Sequence, residues 1–224
     1  MISLLCPSRQ RATKASQMIE SVRSTISNIE NVEILLAIDP DEPELEEYLN
    51  IMPSLHLIDA TTNGQRLNAL ASFSSGDFLY YINDDVLFRT PNWDTLLVEA
   101  FTEKYPDNIG VIYANNGHYL PLACSFPMVH RRWREILGHI TLDVFEHFFN
   151  AAYISTIARD LGRLHYMPDV LIEHMHWLVT GDKDITAQHV IANGRLSKDR
   201  QAFICSEEQR QEGKDKLLKY MINS

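Results

Sequence analysis

Little in these 224 residues could staple or anchor the chain. Cysteine is scarce: Cys6, Cys124 and Cys205 are odd in number and far apart. That argues against a disulfide framework and against a Cys-x-x-Cys zinc site, and fits reduced thiols in a cytoplasmic protein. No uncharged apolar run approaches the ~20 residues of a membrane span. Met1 leads straight into the strand-like Ile2–Cys6, without the cationic region and apolar helix of a secretory signal. Repeats, low-complexity tracts and clear linkers are also missing, so one domain is expected over 1–224, with 186–224 as a C-terminal extension. Basic charge is short in the first half, where residues 1–112 hold 7 Lys/Arg against 17 Asp/Glu. Residues 113–224 hold 13 of each and eight of the nine histidines. An acidic first half disfavours a phosphate-tracking surface for nucleic acid. It suits a domain that gathers a cation and lets the cation meet phosphates.

What is present centres on residues 78–88, Phe-Leu-Tyr-Tyr-Ile-Asn-Asp-Asp-Val-Leu-Phe, where a strand-length apolar run ends in two adjacent carboxylates. A buried carboxylate costs several kcal/mol unless compensated. Asp84 and Asp85 therefore require a positive partner. No Lys is near them in sequence, and the first Arg that follows, Arg89, lies beyond Val86-Leu87-Phe88. A divalent metal carrying a phosphate group fits, since hard cations take oxygen ligands and share them with diphosphates. An acidic turn between strands is the other reading.

The pattern along the chain predicts alternating strands and helices. Strands are expected at Ile2–Cys6, Val32–Ile38, Leu55–Ile58, Phe78–Ile82, Ile109–Tyr113 and Val170–His176. Helices are expected at 12–28, 43–50, 65–73, 93–105, 130–140, 143–161 and 206–222, from apolar spacings such as Ala15, Met18, Ile19, Val22 and Ile26. Such alternation implies βαβ crossovers and a mainly parallel sheet with helices on both faces. Ligands then bind beyond the carboxyl ends of the strands. Ser8-Arg9, Asp39-Pro40-Asp41 and Asn83-Asp84-Asp85 each fall at such an end. Three polar strand ends on one rim point to a site. Arg131-Arg132-Trp133-Arg134 either touches an anionic acceptor or forms a solvated helix face.

Four features together resemble the GT-A glycosyltransferases, the family 2-like group in particular, over roughly residues 2–185. They are Pro7-Ser8-Arg9-x-Arg11 after the first strand, Asp39-Pro40-Asp41 after the second, Asn63-Gly64-Gln65-Arg66-Leu67-Asn68 ahead of Gly76-Asp77, and Asn83-Asp84-Asp85. The resemblance implies a GT-A (nucleotide-diphospho-sugar transferase) α/β fold, with 1–112 as the nucleotide-sugar half and 113–185 completing the acceptor and metal side. Pro7, Ser8, Arg9, Arg11, Asp39 and Asp41 would hold the base and ribose of a nucleotide-diphosphate sugar, and Gly64, Arg66 and Asn68 would line the pocket near the diphosphate. Asp85, assisted by Asp84, would bind Mn²⁺ or Mg²⁺. The shell would be completed by His174, with His176 second, from Glu173-His174-Met175-His176. Lys183 would reach a phosphate. The acceptor stays unassigned.

The sequence departs from the resemblance at the catalytic base. Where inverting members place an acidic residue at a helix start, this chain reads Asn150-Ala151. Asp143 or Glu146 would then serve, or the enzyme retains configuration and needs no such base, or catalysis is impaired. A non-catalytic sugar-nucleotide or glycan-binding module and a sugar nucleotidyltransferase are the rival readings. The second usually carries a Gly-rich loop after its first strand, and Pro7–Arg11 has no glycine.

Overall fold

A computed structural model of the chain describes residues 1–52, 54–118, 123–176 and 187–223, with the backbone alone for 187–193. Lys183 lies outside the described residues. Eight strands join in the order β3-β2-β1-β4-β7-β6-β8-β5. In chain order they are β1 (Ile2–Pro7), β2 (Val32–Ile38), β3 (His56–Leu57), β4 (Phe78–Tyr81), β5 (Val86–Phe88), β6 (Val111–Asn115), β7 (Pro127–His130) and β8 (Leu164–His174). The described helices are α1 (Ala12–Thr25), α2 (Leu45–Ile51), α3 (Asn63–Phe73), α4 (Trp93–Lys104), α5 (Arg131–Leu137), α6 (Asn150–Asp160), α7 (Ala187–Cys205) and α8 (Glu207–Asn223).

Side chains alternate across a strand, and β1 feeds two cores accordingly. Ile2, Leu4 and Cys6 pack with Met18 and Val22 of α1, Tyr48 of α2, and Trp93, Leu97 and Phe101 of α4. Leu5 points the other way, toward Leu67 and Leu70 of α3, Trp133 of α5, Tyr153 of α6 and Leu217 of α8. Ala15, Met18, Ile19 and Val22 of the α1 stripe are all buried. Helices cover both faces, so the central strands must be apolar throughout, and β4 is buried at all four positions.

The sheet is mixed: four of its seven pairings are parallel and three are antiparallel. β1 pairs parallel with β2 and β4, β2 with β3, and β6 with β8. However, β7 runs antiparallel between β4 and β6, and β5 antiparallel to β8. Residues 116–126 join β6 to β7, shorter than the roughly dozen residues that a parallel crossover takes. Two antiparallel steps restore direction. β8 thus points the same way as β4, and its C-terminal end reaches the rim already formed by β1, β2 and β4.

Several element bounds also shift. Residues 143–149, expected to be helical, are irregular, and α6 starts only at Asn150 after Phe149 at φ 67°. Asn63-Gly64, ahead of the helix expected at 65–73, is the first turn of α3, where the Thr62 hydroxyl caps Gln65 N–H at 3.1 Å. The late strand begins at Leu164 and ends at His174, leaving His176 two residues beyond it. Residues 187–205 form a helix although their polar composition shows no apolar stripe.

Candidate nucleotide-sugar cleft

The rim of the sheet opens into a cleft of about 960 Å³, within the usual range for small-molecule sites. Four strand ends build it. β1 delivers Pro7, Ser8, Arg9 and Arg11, and β2 delivers Asp39 and Asp41. The turn after β4 supplies Asp84 and Asp85, and β8 supplies His174 and His176. The pairing of β5 with β8 sets Val86 opposite His174, and Met175 N–H donates to the Asp85 carbonyl at 2.8 Å. Asp85 and His174 are 89 residues apart in sequence and are held together by backbone.

Both carboxylates are buried, Asp84 4% and Asp85 6% exposed. Their positive partner comes from the chain itself, contrary to the sequence-based expectation that no cation is near. Arg11 places Nη1 3.1 Å from Asp84 Oδ1 and Nη2 2.7 Å from Asp85 Oδ2. The Ser8 hydroxyl donates to Asp84 Oδ2 at 2.5 Å and lies 2.6 Å from the Tyr48 hydroxyl. Burial pushes the Asp84 carboxyl up to about 6; Arg11 opposes the rise and the Asp85 charge adds to it. At Asp85 burial acts in the same direction, but His174 and Arg11 together overcome it and hold the carboxyl well below the ordinary range. Two adjacent buried acids thus divide into one that keeps its charge and one that gives way first.

A second ionic knot lies beside the first. Asp39 accepts from Arg9 Nη1 at 2.7 Å through Oδ2, and from Arg66 Nε at 2.8 Å through Oδ1, with Arg66 Nη2 also on Oδ1. Arg9 forks onto Asp41 at 2.6 and 3.2 Å. The Asp41 side chain is 78% exposed, so this arm is a surface ion pair. Gly64 and Asn68 face another task. A Cβ at Gly64 would overlap the Leu142 carbonyl, and Gly64 N–H donates to Phe145 O at 3.1 Å. Asn68 Nδ2 bonds Thr141 O and Asp143 Oδ1, at 2.8 and 2.7 Å. These two residues hold the 140–146 loop against α3.

That loop forms the far wall. The Asp199 carboxylate, 1% exposed, accepts the backbone N–H groups of Glu146, His147 and Phe148 at 2.8, 2.9 and 2.7 Å. Glu146 is engaged by Arg195 and Lys198 at 3.3 and 3.2 Å. His147, Phe148, Asn150 and Ala151 line the cleft. Sequence reasoning missed His147, Tyr48 and Arg195 here, since no strand-end punctuation marks them. Desolvation in the cleft lowers the His147 pKa, with the Arg195 charge adding to it, although the residue as a whole is exposed. The Arg131 cluster lies elsewhere: Arg131 donates to the carbonyls of Ser74 and Gly76, and Trp133 is core.

The acid–histidine pair fits a divalent cation. Asp85 Oδ1 and His174 Nε2 stand 3.2 Å apart, and neither has a well-directed hydrogen bond although both are buried. A carboxylate oxygen and an imidazole nitrogen are donors that Mn²⁺ accepts. The His174 and His176 rings are 5.2 Å apart. Among the described residues no cluster of three or more acidic, His or Cys side chains forms a complete cage.

No family model and no curated protein matches the chain. Solved structures do. TarS of S. aureus aligns at TM-score 0.59 and 12% identity, covering 76% of this chain and 36% of that one. TarS 1–349 in complex with UDP gives 0.60 and 11%, covering 76% and 59%. The mannosyltransferase PcManGT from Pyrobaculum calidifontis, in complex with GDP-Man and Mn²⁺, gives 0.65 and 11%, covering 99% and 74%. The chain therefore spans about one third to three fifths of the TarS chains it matches. No described helix is long and apolar enough to cross a membrane. Strand order, rim and structural likeness agree on one architecture: this chain has a GT-A-like glycosyltransferase fold.

Proposed function

We propose that the protein transfers a sugar from a nucleotide-diphosphate sugar to an acceptor hydroxyl with the help of Mn²⁺ or Mg²⁺. One observation carries the reading: the buried Asp84–Asp85 pair shares its cleft with Arg9, Arg11, Asp39, Arg66 and His174. Acids and arginines meet there in two ion-paired knots, and such paired charges suit a ligand that carries both a cation and an anionic diphosphate. Structural neighbours that bind UDP, UDP-GlcNAc or GDP-Man with Mn²⁺ support it.

In this reading Asp85 and His174 hold the cation, and Asp84 sets the charge beside it. A bound divalent cation neutralises charge growing on the leaving diphosphate. Arg66 and Arg9 fix Asp39 at the nucleoside end. Asp41, at the mouth, contributes through Arg9. Ser8 and the Pro7 turn close the wall between the two ends. Lys183 belongs to the proposal only as a phosphate contact from the C-terminal side.

The proton acceptor is the open part of the mechanism. Ala151 has no group to accept a proton, Asp143 is bonded to Asn68, and Glu146 is ion-paired with Arg195 and Lys198. His147 lines the cleft, and an imidazole there is a group able to take a proton. Base catalysis by His147, Asp143 or Glu146 predicts a fall of about 10²–10⁴ in turnover for the matching variant among His147→Asn, Asp143→Asn and Glu146→Gln. Unchanged rates in all three point to retention of configuration. Ala151→Asp raises turnover if that position is a lost base.

The test is titration calorimetry with UDP- and GDP-sugars, with and without Mn²⁺, followed by assay of nucleoside diphosphate release. Cation-dependent binding and release are expected. Binding with no release against any acceptor or water would favour the non-catalytic module that Ala151 allows. No binding of any nucleotide sugar sinks the reading.

A further inference from the structure

Arg11 stands where a cation is wanted. Its guanidinium is 14% exposed and lies on both buried acids, while its Nε, also buried, meets no acceptor. Its backbone N–H donates to the Tyr48 hydroxyl at 3.1 Å, and that hydroxyl also meets Ser8, the donor to Asp84. A single network therefore ties the Arg11 loop to the acid pair. The acid oxygen left over, Asp85 Oδ1, is the one turned toward His174. Lys14 and Gln17 of α1 border the acids on their other side.

Resting on the donor reading above, we propose that Arg11 is a resident counter-ion that makes binding of the cation and of the diphosphate interdependent. With the guanidinium on both carboxylates, a divalent cation arriving alone meets acids whose charge is already half compensated. A diphosphate changes the balance. Its oxygens offer the planar fork of Arg11 a bidentate partner as good as the carboxylates. Arg11 then shifts to the diphosphate, and Asp85 with His174 regains its full attraction for the cation. Each ligand favours the other by the same factor, because coupling between binding sites is reciprocal. Arg11 is thus a binding and positioning residue, and it disfavours capture of a cation before the donor is present.

The intact protein can be titrated with Mn²⁺ alone and with Mn²⁺ plus UDP or GDP, following unbound Mn²⁺ by electron paramagnetic resonance. In the parent chain the diphosphate is expected to tighten Mn²⁺ at least tenfold. Arg11→Gln is expected to bind Mn²⁺ alone at least tenfold tighter than the parent, with the diphosphate-induced gain reduced below threefold. Equal affinity of parent and Arg11→Gln for Mn²⁺ alone overturns the proposal, as does a lack of Mn²⁺ binding by both. If Arg11→Gln does not fold, Arg11→Lys decides. A compact point charge cannot span both acids, so Mn²⁺ alone binds tighter and the coupling shrinks; parent-like values in both respects overturn the idea. Failure of the donor reading looks different: no diphosphate binds the parent chain, while the comparison with Mn²⁺ alone still judges Arg11.

Discussion

At the scale of single residues, the acid pair and its supports make sharp predictions. Asp85→Asn should abolish the Mn²⁺-dependent part of any thermal shift with UDP or GDP, whereas an unchanged shift would count against the Asp85–His174 assignment. Asp199→Ala leaves three backbone donors of the 146–148 loop without their carboxylate. It should cost about 2–3 kcal/mol in urea unfolding, since hydrogen bonds to a charged group are the stronger kind. A loss below about 0.5 kcal/mol, the level of ordinary surface substitutions, would show that the loop holds itself. Asp84, Asp85, Asp39, Arg9 and His174 were legible in the sequence because each follows an apolar run, and such runs end at the rim of a sheet. Arg11 as their counter-ion was not. A search along the chain for a cation near Asp84 cannot find one 73 positions earlier that parallel pairing of β1 with β4 brings alongside.

Among elements, α3 and the 140–146 loop show packing overruling local preference. Helical spacing over 143–161 is real, yet residues 143–149 are irregular because buried Asp199 offers their N–H groups a better partner than another turn of helix. Nothing in the sequence of the loop announces an acceptor 50 residues downstream. The α1 stripe, by contrast, was readable, since burial of its apolar face needs no distant information. Gly64 lets the start of α3 press against the Leu142 carbonyl. Gly64→Ala should push the helix start away from Leu142 and destabilise by about 1–3 kcal/mol, the usual cost of forced overpacking. Wild-type stability in Gly64→Ala, measured by denaturant midpoint at constant m, would mean that the loop yields freely.

For the whole molecule, the first half of the sheet followed from alternating strands and helices, while the antiparallel β7 did not. Apolar runs carry no arrow, so the direction of a strand cannot be read from its own residues. Charge also acts at this scale. Burial tends to raise the Glu33 carboxyl, but bonds from Ser3, Ser75 and Gly76 win and lower it. Asp94 is lowered in the same way by Ser27 and Asn31. Groups with depressed folded values contribute stability that is present above their unfolded pKa of about 4 and is lost as pH falls through the folded value. Unfolding free energy should therefore drop as pH falls below about 4, and Glu33→Gln should flatten that slope in a urea series over pH. The pairing of β5 with β8 has a last consequence, in time rather than space. Because His174 reaches Asp85 only when the eighth strand zips against the fifth, a chain still emerging from the ribosome owns its acids and arginines long before it owns the acid–histidine pair. That pair should form abruptly, once the final strand has docked.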